Sequence, residues 1–193
     1  MVNTSMVRQL AAAAVAAALT AATASAQFRR PKADLTLLTD ADAVRSGTSI
    51  RLALDVELPE GLHVQSHEPR DPSLIPTVLT LTPPAGVTIA EVVYPRAEDY
   101  RLAGSSQTLA VYGRRFVIGV RLSVPSSAPP GEITVPARLR YQACDASSCF
   151  PPASETAQWT VRVVDAGSDV APKNIEIFRT IPFETSAGDS NGR

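Results

Sequence analysis

Reactive side chains are scarce in this chain of 193 residues, which contains two cysteines, two histidines and one tryptophan. It has no G-x-S-x-G nucleophile elbow, no phosphate-binding glycine loop and no H-E-x-x-H zinc motif. The carboxylates are scattered and form no evident pair of general acid and general base. The sequence therefore lacks visible machinery for hydrolase or transferase chemistry.

Neither sign of charge is in excess, since 18 lysines and arginines are balanced by 19 aspartates and glutamates. Nucleic-acid-binding domains usually carry a basic patch, and this composition provides none. After the N-terminus, no stretch approaches the roughly 18 apolar residues that a transmembrane helix needs. We therefore expect no nucleic-acid partner and no membrane span in the mature chain.

Residues 1–26 have the form of a secretory signal peptide. A positive charge precedes an apolar run from Leu10 to about Ala22, and Ala-Ser-Ala at 24–26 fits the small-residue cleavage site. An uncleaved anchor is the alternative, but the run is short and rich in alanine. We expect cleavage before Gln27 and export to the periplasm, where a disulfide can persist.

Apolar and polar residues alternate along most of the remaining chain. Apolar side chains occupy every second position in 50–58, and the same period recurs in 116–124, 133–141 and 159–163. Turn formers such as Pro-Glu-Gly at 59–61 separate these runs. A period of two is typical of half-buried strands, and no helical stripe follows the signal segment. We predict seven to nine strands in an all-β, immunoglobulin-like antiparallel β-sandwich.

The composition divides the mature chain into two parts. We assign 27–165 to the β-sandwich domain. We predict that 166–193, which is rich in glycine, serine and aspartate, is a largely disordered C-terminal tail with an apolar patch at 175–183 that is able to dock. Within the domain, 95–108 is predicted to be a long polar connection. Pro136 interrupts a strand and cannot donate to a ladder, so we expect it at a sheet edge or a bulge.

The most specific chemical feature is the cysteine pair, Cys144 and Cys149, which Pro151 and Pro152 follow almost at once. Closing a loop of about six residues contributes only about 2 kcal/mol by chain entropy, against about 3 kcal/mol for fifteen residues. Spacing alone leaves a structural and a redox role open, because C-x₄-C is not the C-x-x-C of thioredoxins. The negative charge of Asp145 disfavours a thiolate, so we expect a disulfide that receives attack from a partner's thiolate of low pKa.

The two histidines, His63 and His67, lie four residues apart, a spacing that puts both on one face of a strand. A metal site that adds Glu68 or Asp71 is one interpretation. Ordinary surface or edge positions are the interpretation we favour, since a closed zinc site needs four ligands. We therefore predict no metal site and no cofactor.

The segment 141–152, which reads YQACDASSCFPP, resembles the signature of the N-terminal domain of the thiol:disulfide interchange protein DsbD. This family also occurs as a stand-alone module and in copper-tolerance relatives. Its signature is Tyr-Gln, a small residue, Cys, four or five residues, Cys, a hydrophobic residue and Pro-Pro. Upstream, 60–95 resembles the family's glycine-led strand, proline-rich loop and two further strands, the second ending in proline. The resemblance covers about 35–165.

The resemblance implies an immunoglobulin-like domain that shuttles electrons in the periplasm. In the family, a thioredoxin-like domain supplied through a membrane domain reduces the disulfide. The reduced module then reduces clients such as disulfide isomerases, cytochrome-maturation proteins or other thioredoxin-like proteins. The resemblance implies that Cys149 forms the mixed disulfide and that Cys144 resolves it. By position, Glu98, Asp99 and Tyr100 match the family's cap loop, with Tyr100 as the lid over the disulfide.

The membrane and thioredoxin-like domains of the family are absent from this sequence. We therefore expect electrons to come from a separate thioredoxin-like or membrane electron-carrier protein of the DsbD type. Whether the chain is an enzyme, a thiol:disulfide oxidoreductase, stays open. Two alternatives remain: an immunoglobulin-like adaptor with a purely structural disulfide, and a copper-handling periplasmic protein. The copper-handling protein would bind Cu(I), which favours soft thiolates, through Cys144, Cys149, His63 and His67.

Overall fold

The computed structural model describes residues 30–102 and 106–184, so the expected signal peptide, 1–26, lies outside the described residues. Within these ranges the chain forms twelve strands and one short helix. In chain order they are β1 (Asp34–Thr39), β2 (Val44–Arg45), β3 (Ser49–Glu57), β4 (His63–Gln65), β5 (Val78–Leu81), β6 (Thr88–Val93), β7 (Glu98–Arg101), β8 (Thr108–Tyr112), β9 (Arg115–Ser123), β10 (Gly131–Tyr141), β11 (Ala143–Cys144), β12 (Ala153–Val164) and α1 (Ile175–Thr180).

Two four-stranded sheets form a sandwich. Sheet I has the order β1-β3-β9-β6, and sheet II has the order β2-β12-β10-β5. All the pairs in these sheets are antiparallel except the short pair of β2 with β12. The longest ladders join β3 to β9 and β10 to β12. The predicted all-β, immunoglobulin-like antiparallel sandwich is confirmed.

The alternation in the sequence becomes the two faces of each sheet. In β3, Leu52, Leu54 and Val56 are fully buried between the sheets, because successive side chains of a strand point to opposite faces. Trp159 of β12 is also buried, and its indole Nε1 donates a hydrogen bond to the Leu38 carbonyl of β1 at 3.1 Å. This bond ties sheet II to sheet I across the core.

A third sheet of short strands, sheet III, extends one end of the sandwich in the order β11-β4-β8-β7. Three of its strands adjoin long strands in the chain: β4 follows β3, β8 precedes β9, and β11 follows β10. The prediction that 95–108 is a long polar connection is wrong, because this segment contains β7 and the start of β8. The burial of Leu109 through Tyr112 explains the missed strand, since β8 shows no polar and apolar alternation.

Pro136 lies within β10, an interior strand of sheet II, and not at a sheet edge or a bulge as predicted. The neighbouring strand β5 ends its ladder at the pair Leu81–Ala137. Beyond that pair, the Thr82 N–H donates to the Pro136 carbonyl at 2.9 Å. The proline therefore occupies a place where one flanking strand has just ended, and its missing N–H interrupts no ladder pair with β5.

The segment after β12 differs most from expectation, because its described part, 166–184, is packed and not disordered. Helix α1 and the residues after it cover the outer face of sheet I, where Phe178 and Ile181 are buried with Ala53 in a second apolar cluster. The Arg121 guanidinium of β9 lies 5.3 Å from the Phe183 ring centroid and donates to the Glu184 carbonyl at 2.7 Å. The apolar patch at 175–183 thus docks on the sandwich, and 185–193 lie outside the described residues.

Gly119 of β9 makes room for this docking. A Cβ atom at position 119 would lie 2.6 Å from Ile181 Cγ2 and 2.7 Å from Phe183 Cζ, closer than any real contact. We expect Gly119→Ala to lower the free energy of unfolding by about 1–3 kcal/mol, as over-packing does. Urea denaturation of the oxidised protein measures this loss.

The control for this prediction is the same substitution in a background that carries Ile181→Ala and Phe183→Ala. Without the two side chains that it would strike, the new methyl group should cost little. Equal losses in both backgrounds would show that the close approach of the C-terminal segment is not what requires glycine.

Candidate functional site

Strand β10 leads directly to the disulfide and is anchored at its end. Tyr141, its last residue, is buried, and its hydroxyl accepts a hydrogen bond from the Ala33 N–H at 2.8 Å. After one further residue, β11 pairs antiparallel with β4, and this register places Cys144 opposite His63. Cys144 is therefore held by backbone pairing with β4, shortly after the anchored end of β10.

Cys144 and Cys149 form a disulfide and also face each other as an isolated antiparallel bridge. The Phe150 N–H donates to the Ala143 carbonyl at 2.8 Å, and the Gln142 side-chain amide donates to the Phe150 carbonyl at 3.0 Å. The chain that returns from the disulfide is thus bonded to the chain that enters it. The pair sits on a closed, tight hairpin at the end of the sandwich.

Asp145 organises the turn between the two cysteines. Its Oδ1 accepts hydrogen bonds from the Ser147 N–H at 2.7 Å, the Ser147 hydroxyl at 2.8 Å and the Ser148 N–H at 2.8 Å. These bonds, with that of the Ser147 N–H first, favour the ionised carboxylate and lower the pKa of Asp145. A negative charge therefore stays beside Cys144 at neutral pH, where it disfavours a thiolate.

The two cysteines differ sharply in exposure. Cys144 is 2% exposed, whereas Cys149 lies exposed on the surface of the turn. Disulfide exchange depends on which sulfur an incoming thiolate can reach. The geometry therefore permits attack at Cys149, with Cys144 as the buried leaving sulfur.

His63 of β4 is a buried neighbour of the disulfide, with 6% of its surface exposed. Burial lowers the pKa of His63 from its ordinary value of 6.5, and the charge of Asp145 opposes this shift. Its Nε2 atom is buried and has no hydrogen-bond partner. The sequence suggested a surface residue or a metal ligand at this position, since nothing in it indicates that β4 pairs with the cysteine strand.

The three residues predicted as a cap lie on β7, at the far side of sheet III. The Tyr100 ring reaches the His63 ring, with centroids 4.2 Å apart and planes tilted by 35°. Glu98 and Asp99 are exposed, and Asp99 Oδ1 forms an ion pair with Arg70 at 2.5 Å. The structure thus brings Tyr100 to the residue that faces Cys144, whereas Glu98 and Asp99 face solvent.

The other histidine belongs to a different environment. His67 stacks on the Tyr94 ring at 3.8 Å with nearly parallel planes, and its backbone N–H donates to the Tyr112 hydroxyl at 3.0 Å. In the part of the chain that the structure describes, no group of three or more His, Cys, Asp or Glu side chains is placed to hold a metal ion. Over the same residues, no helix has the length and apolar character needed to cross a bilayer.

The fold and the site define an immunoglobulin-like β-sandwich that carries a disulfide on a tight hairpin at one end. The family model described as "Thiol:disulfide interchange protein DsbD, N-terminal" matches residues 34–160, which include both cysteines. The chain belongs to this DsbD N-terminal family. No curated protein matches the chain.

Several solved structures are similar at low sequence identity. The DsbD N-terminal domain of Neisseria meningitidis in its reduced form is 14% identical, with 72% of this chain and 88% of that chain covered and a TM-score of 0.39. The N-terminal periplasmic domain of ScsB from Proteus mirabilis is 13% identical, with 80% and 53% covered and a TM-score of 0.43. A complex between the DsbD and PilB N-terminal domains of Neisseria meningitidis is 13% identical, with 63% and 80% covered and a TM-score of 0.36.

Mild acid should destabilise the fold through His63. Because the pKa of His63 is lowered by burial, the unfolded chain binds this proton before the folded chain does as the pH falls below 6.5. When stability is measured from about pH 7 to about pH 5, the free energy of unfolding should fall once the pH drops below about 6.5, by at most about 1.4 kcal/mol per pH unit. Urea denaturation at fixed ionic strength measures the slope.

Two variants isolate this effect. His63→Gln should flatten the slope, and His67→Gln should preserve it. The lowered pKa of Asp145 affects stability only as the pH falls through its ordinary value of 3.8 and below, outside this window. Identical slopes in the wild type and His63→Gln would contradict the assignment.

Proposed function

We propose that this protein is a periplasmic thiol:disulfide exchange module that passes electrons through Cys144 and Cys149 between thioredoxin-like proteins. The observation that carries the proposal is the unequal exposure of the two cysteines, one buried against β4 and the other open to solvent. Membership of the DsbD N-terminal family supports it. The electron donor is a separate thioredoxin-like or membrane electron-carrier protein.

The exchange proceeds in two displacements. A partner thiolate attacks Cys149 Sγ, a bond forms between these sulfurs, the Cys144–Cys149 bond breaks, and its electron pair goes to Cys144, which takes a proton from water. The partner's second thiolate then attacks the partner's own sulfur in the mixed disulfide, and Cys149 leaves and is protonated. Two electrons and two protons reach this protein, and the partner dithiol becomes a disulfide.

Delivery to a client runs the same steps in reverse. The Cys149 thiolate attacks the client disulfide, and Cys144 then attacks Cys149 to close the ring and release the reduced client. Access supports the assignment of attack to Cys149 and of resolution to Cys144, since Cys149 is the exposed residue of the pair and Cys144 is buried.

Tyr100 serves as a lid over the exchange site in this proposal. The Tyr100 ring lies against His63, and His63 is the residue of β4 that pairs with Cys144. β7 is an edge strand of sheet III that is paired with β8, and the exposed ion pair of Asp99 with Arg70 adds little stability, so β7 is the strand of this sheet suited to move when a partner docks. A movable lid restricts exchange to proteins that displace it.

Removing the resolving cysteine should trap partners. Cys144→Ala leaves an exposed Cys149 thiol that forms mixed disulfides but cannot close the ring, whereas Cys149→Ala leaves only a buried thiol. We expect about tenfold more adducts with thioredoxin-like proteins from Cys144→Ala, in proportion to the difference in access. Non-reducing electrophoresis and mass spectrometry of a periplasmic extract after an alkylating quench measure them. Absence of adducts, or equal yields from both variants, would overturn the proposal.

Removing the lid should open the disulfide to small thiols. We expect Tyr100→Ala to raise the rate of reduction by glutathione by about threefold to tenfold, because it uncovers the Cys144 side of the disulfide, which the ring and His63 cover, while Cys149 is already exposed. Tyr100→Phe, which keeps the ring, should behave like the wild type. Alkylation time courses measure the rates. Equal rates in all three proteins would show that Tyr100 does not shield the disulfide.

A further inference from the structure

We propose that His63 is a positioning residue that stabilises the dithiol state through a hydrogen bond between its Nε2 and the Cys144 sulfur. The inference rests on the proposed function, because it concerns how the same pair of cysteines holds the electrons it receives. It assigns a role to a histidine that the motif containing the cysteines does not include.

The register of sheet III brings the two side chains together. His63 and Cys144 are directly opposite in the antiparallel pair of β4 with β11. Residues that face each other in this way project from the same face, with Cβ atoms about 4.5–5.5 Å apart. Both residues are buried, at 6% and 2% exposure. The register and the shared burial therefore place the His63 and Cys144 side chains on adjacent strands, on one face and away from water.

The Nε2 atom of His63 is unsatisfied while the disulfide is intact. Buried polar atoms in folded proteins nearly always have a hydrogen-bond partner, so such an atom is a penalty on the state that contains it. A sulfur in a disulfide carries no hydrogen and is a poor acceptor. The oxidised form of the protein therefore contains a polar atom that its own hairpin cannot satisfy.

Reduction supplies the missing partner. The Cys144 thiol offers an S–H group and sulfur lone pairs, and neutral histidine has one ring nitrogen that donates and one that accepts. Nε2 can therefore accept from the thiol or donate to the sulfur, whichever tautomer is present. Relief of the penalty favours the dithiol, and an N–H donor also stabilises Cys144 as it leaves during attack at Cys149.

The groups around His63 keep its imidazole neutral, as the proposed hydrogen bond with the Cys144 thiol requires. The Tyr100 ring from β7 covers the imidazole, and the Asp145 carboxylate in the turn is the charged group that acts on it. Burial outweighs that charge and lowers the pKa, so the ring is neutral at neutral pH. The same Asp145 charge disfavours a Cys144 thiolate. The Gln142 carbonyl, 3.9 Å from the Cys144 sulfur, is a second acceptor for the thiol, so the variants at position 63 isolate the contribution of the histidine.

The test compares equilibrium constants for reduction in graded dithiothreitol buffers, read by alkylation. His63→Phe keeps a ring against Tyr100 but has no nitrogen, and we expect a constant about tenfold smaller, which is about 30 mV for a two-electron couple. His63→Gln supplies an amide near the position of Nε2 and should return to within about threefold of the wild type. His67→Phe is the matched control and should equal the wild type.

The result that overturns the inference is an equal constant for His63→Phe and the wild type. Equal losses in His63→Phe and His63→Gln would also overturn it, because they would assign the effect to packing and not to the nitrogen. Long-range proton–nitrogen NMR spectra of the wild type give a second readout that needs no variant. The His63 Nε2 resonance should shift on reduction while those of His67 stay, and an unchanged His63 resonance contradicts the hydrogen bond. Failure of the proposed function appears separately, as a wild-type pair that does not exchange with reduced thioredoxin.

Discussion

The pairing of β11 with β4 is the interaction on which the rest of the site depends. It is only two residues long, Ala143 with Val64 and Cys144 with His63. This short ladder buries one cysteine against a strand and leaves the other on the exposed side of a tight turn. It also places an unsatisfied histidine nitrogen opposite the buried sulfur. The burial of Cys144, the exposure of Cys149 and the place of His63 opposite Cys144 are therefore all consequences of one register.

The sandwich supplies the stiffness that such a short ladder lacks. Each strand of sheet III that flanks the cysteines is joined to a long strand of the core, and Tyr141 fixes the point where β10 gives way to the hairpin. The C-terminal segment adds a further layer at the outer face of sheet I, where Gly119 allows its close approach. The cysteine pair thus lies at one small end of the molecule, in a short sheet that the sandwich supports.

Sequence reasoning recovered the features that depend on local pattern. Alternation identified the long strands, and the cysteine motif identified the disulfide. It missed β8, whose residues are buried in succession. It identified the apolar patch at 175–183 as able to dock, but it predicted disorder around the patch and did not indicate sheet I as the docking surface. It also missed the place of His63 beside Cys144. That contact arises from pairing between segments about 80 residues apart, and no local signal in either segment specifies the register.

We propose that the Cys144–Cys149 bond is an exchange centre and not a structural staple. The most direct test of this proposal is the absolute reduction potential of the pair in the purified wild-type protein, with circular dichroism recorded for both redox states. The account predicts a value between about −270 and −180 mV, the range of exchange proteins, with the fold intact throughout. A value below about −300 mV would mark a bond that resists reduction and would favour a binding adaptor with a structural disulfide.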